Sequence, residues 1–477
     1  MRIWAKRGLR AALFTGGMMT LGAGIACASP QGNAVTVPVR LCDNTIGTPI
    51  GQFTLPCFDQ TIGVDDGLIP APLRGPNAGL NVVAPIDLSG NAFAAGGQAV
   101  SHSTSNRQNE ASRSGSAGSM NVLTPLQFNG NAFGVAGYAI ANNDSTTTIK
   151  ANRPVDAGNG NAVVGDLVVP MQLTGNGVGF GGGAGETHNT SVLSAESTGE
   201  VHADGQHKSL SGNVFDLPLA LPVEVNGNAG GLFSGSAETH GDSGGRTRRG
   251  QRPQHGHRGR LQRHARLRLH RCGQHGQHSD RAAHPGGRQR VHHARPAAGR
   301  GHSTTRSAAG GDITSNGDNG TFAGNVGQIP IAPITQVFGN AAVAGGTANS
   351  DTSNKVDDRA GGDVRTSGRH TIGSGNLGGI PVATLIGFFG NSFVGAGQAG
   401  AFAPSEVTQR VGGDQRTHGG AVLAEPIGIT DLVSGNSIVG AGTSSAMADS
   451  VNHQTVGGDN KMVVSGVDIP DVPLSPL

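Results

Sequence analysis

With 477 residues the chain is long enough for two or three ordinary domains, but 81 of those residues are glycine and only 4% are aromatic. Trp4 and Tyr138 are the only residues of their kinds; the apolar remainder is mostly Ala and Val, which bury little area each, and glycine-rich backbone loses more entropy on ordering. One large globular core is therefore excluded, and the formal net charge of +2 singles out no polyanionic partner.

The first 28 residues read as a secretory signal peptide. Arg2, Lys6, Arg7 and Arg10 form a basic start, residues 11–25 an apolar segment, and Ala26-Cys27-Ala28 a small-residue site before Ser29. A lipid anchor on Cys27 is the weaker reading, because Gly24 stands where a branched apolar residue is expected. No other segment has 18 consecutive apolar residues, so the expectation is a secreted, extracellular or wall-associated chain without a transmembrane segment. In that oxidising setting Cys42 and Cys57 are expected to form a disulfide.

From there the chain is a tandem array. Gly-Asn recurs at Gly90-Asn91, Gly130-Asn131, Gly175-Asn176, Gly227-Asn228, Gly339-Asn340, Gly390-Asn391 and Gly435-Asn436. One interval, from 227 to 339, is about twice the others, as if a unit were missing. In four units an earlier Gly-Asn, at Gly160, Gly212, Gly324 or Gly375, stands 15 residues ahead of the later one. Between the two lies alternating apolar sequence with proline, as in VFDLPLALPVEV and VGQIPIAPITQV. Small residues and a polar Ser/Thr/His/Asp spacer follow, often with Gly-Gly-Asp, as at Gly361-Gly362-Asp363.

Residues 246–306 interrupt the array with 16 of the 34 Lys and Arg, 10 of the 18 His and a single acid, Asp280. Such a tract can bind nucleic acid or metal, or it can be a repeat read in a shifted frame. Arg288-Gln289-Arg290-Val291-His292-His293 has a possible codon set that, read from its second base, gives Gly-Asn-Ala-Phe-Thr. The hidden motif starts 51 residues before Gly339, the interval that separates Gly339 from Gly390. The shifted frame is the preferred reading, and Cys272 and the local histidines then carry no designed chemistry. Without the four basic residues of the leader and the sixteen of this stretch, 14 basic residues face 31 acidic ones, a net charge of −17. Nucleic acid is then not an expected partner.

The order Gly32-Asn33, Val37, Pro38, Val39, Cys42, Asn44 and then Cys57, after a signal peptide, resembles the chaplins, the secreted surface-active proteins of filamentous actinomycetes. Cysteine-less echoes are GNVFDLPLALPVEVNGN and GNVGQIPIAPITQVFGN. The first unit lacks about four residues before Cys42, later units lack both cysteines, and the C-terminal VDIPDVPLSPL has no wall-sorting Leu-Pro-x-Thr-Gly signal. The resemblance implies self-assembly, alone or with other coat proteins, into amyloid-like films that lower surface tension and coat aerial hyphae or spores.

The residues alone give a mainly β reading. Period-2 apolar runs suit strands with one apolar face, proline interrupts them, and Gly-Asn corners suit positive-φ turns. One unit cannot bury such a face unaided; it must stack on its neighbours, solenoid-like or as cross-β on assembly, or face air or lipid. The expected organisation is a signal peptide (1–28), a chaplin-like unit (29–60), Gly-Asn repeats (61–245), the anomalous segment (246–306) and further repeats (307–477), with short strands separated by disordered spacers. No nucleophile elbow, zinc-helix motif or P-loop is present. His102, His188, His202, His207, His240, His370, His418 and His453 read as solvated loop residues. No enzyme activity, cofactor or metal is expected. The runner-up is a non-assembling surface stalk or adhesin; a metal- or nucleic-acid-binding protein requires the 246–306 segment to be genuine.

Overall fold

The computed structural model describes residues 34–64, 78–112, 118–152, 154–240, 301–464 and 467–468. They belong to one compact unit, Met1–Ser243 with Gly299–Leu477; a second unit, Gly244–Ala298, lies outside the described residues, as do the signal peptide and Cys272. Every regular element among the described residues is a strand. Nearly all pair in parallel with the equivalent residue of the next repeat: Phe93 with Phe133, Phe133 with Val178, Val223 with Thr335, Thr335 with Ile386. That register makes each repeat one coil of a β-solenoid, with coils stacked about 4.8 Å apart.

One coil shows the path. The strand Ile313–Asn316 doubles back through 317–325 onto Val326–Gln328, and the chain runs on through Ile331–Phe338. It kinks at Gly339-Asn340, reverses near Gly345-Gly346 within Ala341–Ala360, and returns to a corner at Gly361–Asp363. The next coil then begins with Val364–Ser367. Glycine permits the reversals because opposed backbones touch: a Cβ on Gly317 would lie 2.2 Å from the Ala323 carbonyl oxygen, and one on Gly179 would lie 2.7 Å from that of Gly183.

Each coil is thus two facing layers. The first layer holds the proline-punctuated apolar run and the residues after Gly-Asn. The second holds the polar spacer and the short strand after Gly-Gly-Asp. Their meeting faces form several small cores, one with Val83, Leu123, Ile149 and Val168, another with Val214, Ile313, Val326 and Val364.

The polar spacers are strands and not disordered linkers. Gln98–Ser112, Tyr138–Asn152 and Ala184–Thr198 are each 15 residues long and pair along their whole length or most of it. Stacked coils give their backbone groups partners whatever the side chains are. Alternate residues face inward and meet polar atoms of the first layer: Ser105 Oγ donates to Asp87 (3.0 Å) and Gln127 Nε2 donates to Thr147 Oγ1 (2.8 Å).

The array passes the anomalous segment without losing register. His240 pairs with Asp351 and Gly301 with Thr352, so the described residues on its two sides occupy consecutive positions against the next coil. Regular strand resumes at Gly301, inside the 246–306 boundary read from composition.

At the N-terminal end the first layer is closed. Phe58–Val64 pairs antiparallel with Ala34–Cys42, and Gly51–Thr54 with Thr45–Thr48. Cys42 and Cys57 are joined as a disulfide, with Cα atoms 4.1 Å apart. The Gln52 side chain bonds the Val100 backbone in both directions (3.1 and 3.3 Å), which satisfies one residue on the outer edge of the first spacer strand, Gln98–Ser112, a strand that pairs on one side only.

Candidate interfacial surface

The asparagines of the later Gly-Asn pairs, headed by Asn44, form one continuous column. Asn44, Asn91, Asn131, Asn176, Asn228, Asn340, Asn391 and Asn436 stand on successive coils. Each Oδ1 before Asn436 accepts two bonds from the next asparagine, one from its backbone N–H and one from its Nδ2; for Asn91 and Asn131 these are 3.0 and 2.9 Å. The same Nδ2 donates a second time, from Asn131 to the Leu173 carbonyl (3.0 Å) and from Asn391 to that of Val433 (2.9 Å). The preceding glycines, Gly90, Gly130, Gly175, Gly227, Gly339, Gly390 and Gly435, all have φ between 61 and 67°, where a Cβ is disfavoured.

Two further columns repeat the device. Asn161, Asn213, Asn325 and Asn376 bond in series and end on the Ala421 N–H. Asp312, Asp363, Asp414 and Asp459 do so at the Gly-Gly-Asp corner. The constant 15-residue interval is the length of first-layer chain between two columns that both must stay in register.

Between those columns the apolar run is inverted. In VFDLPLALPVEV, Phe215, Leu217, Leu219, Val223 and Val225 point outward, while Asp216 and Glu224 are buried between the layers. Other coils repeat the parity. Val82, Val122, Leu167, Leu219, Ile331, Val382 and Ile427 form one outward column, in register through the whole array. Beside it stand Ile86, Leu126, Met171, Val223, Thr335 and Ile386. Next come Leu41, Leu88, Leu173, Val225, Val337, Phe388 and Val433 in their coils. Past the kink the outward positions are Ile46, Phe93, Phe133 and Val178, then Val135, Phe180 and Leu232. Phe388 and Phe393 stack across the kink at 5.9 Å.

Residues 167–180 of one coil span about 43 Å at the usual strand rise, and seven coils about 29 Å. The apolar face is therefore on the order of 1,200 Å², against the few hundred Å² usual for the largest patch on a soluble monomer. Stacking shields each column's flanks and leaves its crest exposed; Phe93 is 45% and Ile386 51% accessible.

Behind this face the interior is polar. Asp87, Gln127, Gln172, Glu224 and Gln336 form an inward column, with Ser89, Asn129, Thr174 and Asn226 beside it. Gln172 Nε2 donates to Gln127 Oε1 (3.1 Å). Burial pushes the Glu224 carboxyl up to about 7, although donors including Asn354 and Gln336 pull it part of the way back. Burial likewise raises Asp216 to about 7 against the Gln328 amide 3.0 Å away, and raises Asp358 well above the carboxylate range. A neutral carboxyl donates as well as accepts, which suits a file of amides.

The outer face of the second layer is of opposite character. It carries charge pairs such as Lys150–Glu196 (3.6 Å), Lys355–Glu406 (2.5 Å) and Asp357–Arg359 (3.1 Å). His102 and His453 lie on its strands and not in loops, and His188 stands 3.8 Å from Glu186. Among the described residues no group of three metal-ligating side chains converges, and no helix is long and apolar enough to cross a membrane.

The inverted strand was not read from the sequence. Its signal was available: Asp216 and Glu224 stand an even number of residues apart, so both lie on one face of the strand, opposite the leucines and valines. No family model, no curated protein and no solved structure matches this chain.

Proposed function

We propose that this chain is a secreted, surface-active structural protein that adsorbs through its apolar layer and presents its charged layer to water. In the chaplin-like reading it forms a hydrophobic coat on aerial hyphae or spores, by self-assembly and with other coat proteins. The observation that carries this is the parity of the first layer: apolar side chains outward on coil after coil, with carboxyl and amide groups inside. Placing such a face against air or lipid removes apolar area from water at about 25 cal/mol per Å², so a face of this size favours adsorption by roughly 10 kcal/mol or more. The asparagine columns keep the face flat and in register, and no catalytic group is needed.

The test is the surface tension of a drop of the purified protein over a range of concentrations. A large, concentration-dependent fall with film formation supports the coat. Behaviour like that of an ordinary soluble protein refutes it and favours a non-assembling stalk.

A further inference from the structure

The two ends of the solenoid differ. At the N-terminal end the first layer is closed by antiparallel strands and the Cys42–Cys57 bond. At the C-terminal end, among the described residues, Ile427–Ser434 and Ser437–Val456 each pair on one side only. Positions that are buried in the previous coil are open there: Val394 is 4% accessible and its equivalent Val439 44%, and Leu385 is 1% accessible where its equivalent Thr430 is exposed. An unpaired edge of this kind is a template for another strand.

We propose that the C-terminal coil pairs with the C-terminal coil of a second copy, related by a two-fold axis, to give a closed dimer. Among the described residues a copy of this chain offers no other edge that is open in both layers: at the N-terminal end Gln98–Ser112 pairs on one side only, but the first layer above it is covered by Phe58–Val64 and Gly51–Thr54. Two-fold pairing also matches both open strands at once, since the partner presents the same strands at the same spacing. The last coil is two layers thick and about 43 Å long over residues 443–456, so the end face is on the order of 800 Å² per copy, the size of a standard stable interface.

Register follows from overlap, parity and charge. Inward side chains stay inward only if the axis passes through a residue. Near the middle of residues 443–456 the choices are Asp449, which would set two carboxylates side by side, and Ser450, which sets Asp449 beside the partner's Val451. Asn452 faces Thr430 across the layers (3.5 Å) and Gly428 lies against Gln454, so an axis through Ser450 also passes near Leu432. There it places Asp431 beside the partner's Val433, with no like charges opposed. The axis keeps the two apolar layers on one side, so the dimer doubles the face described above; the pairing itself does not depend on the adsorption reading.

Sedimentation equilibrium of the full chain, with oxidative cross-linking of Ser450→Cys and Thr455→Cys variants against the parent, tests this. Expected are twice the chain mass at micromolar concentration, rapid cross-linking of S450C, and none above the parent level for T455C, whose two copies would sit about 34 Å apart. A monomer, an open-ended polymer, or T455C cross-linking as readily as S450C would each overturn the proposal. Surface tension is read separately, so failure of the dimer and failure of adsorption are distinguishable.

Discussion

Asn340 donates to Asn228 twice, from its backbone N–H (3.2 Å) and from its Nδ2 (3.0 Å), although 112 residues separate them. The two stand on adjacent coils. His240 and Gly301, 61 positions apart in the sequence, occupy consecutive positions against the next coil. Deleting residues 241–300 should therefore splice Ala229–His240 to Gly301–Ala309 as one strand, like Ala341–Ala360 in the next coil. The deleted protein is expected to keep its β-sheet circular dichroism and to unfold at an equal or higher denaturant midpoint, since the two strand pieces no longer have to be brought together across a long stretch of chain. Loss of the folded signal would contradict the splice.

The asparagine column predicts a position-dependent cost. Asn131→Ala removes the side chain's own bonds and leaves the Asn176 backbone N–H and one of its two Nδ2 hydrogens without an acceptor in a part-buried site, the other still reaching the Val225 carbonyl. Stability should fall by about 3 kcal/mol, measured by urea denaturation. Asn436→Ala, on the last coil, should cost about 1 kcal/mol or less, because no further asparagine bonds to it. Equal losses at the two sites would be evidence against a continuous column.

The buried acids make stability depend on pH. Asp216 and Glu224 titrate near 7 when folded and near 4 when unfolded, and Asp358 is raised in the same direction, each chiefly by burial. Their contribution is fully present below about pH 4 and is lost as pH rises through 7, because only the unfolded chain releases these protons in that window. A tenfold difference in proton affinity between the folded and unfolded chain is worth about 1.4 kcal/mol, so the loss sums to several kcal/mol. The denaturation midpoint should be higher at pH 5 than at pH 8, and Glu224→Gln should flatten that slope. A midpoint that rises with pH, or a slope unchanged in the variant, would place the carboxyls in water.

Much of the architecture was legible because a solenoid writes its period into the chain. The Gly-Asn intervals give the coil length, and the fixed 15-residue offset gives two aligned columns. What was not legible depended on facing layers. Ser101, Ser103 and Ser105 read as linker, yet they are buried in a strand whose polar partners lie on the other layer. Likewise the alternation in VFDLPLALPVEV announces a strand but not which side faces in; the hydropathy rule chooses the leucines, and the amide file running through Gln127, Gln172 and Gln336 takes that place instead.

The orientation of that strand is the central claim, and adsorption of matched charge variants at an air–water surface tests it most directly. Leu219→Glu with Val225→Glu puts charge on the apolar layer, while Thr408→Glu with Ser353→Glu puts equal charge on the other. Surface pressure should fall by at least half for the first pair and remain near the parent value for the second, with all three proteins equally folded. Equal loss in both pairs, or loss only in the second, would contradict an apolar first layer as the adsorbing face.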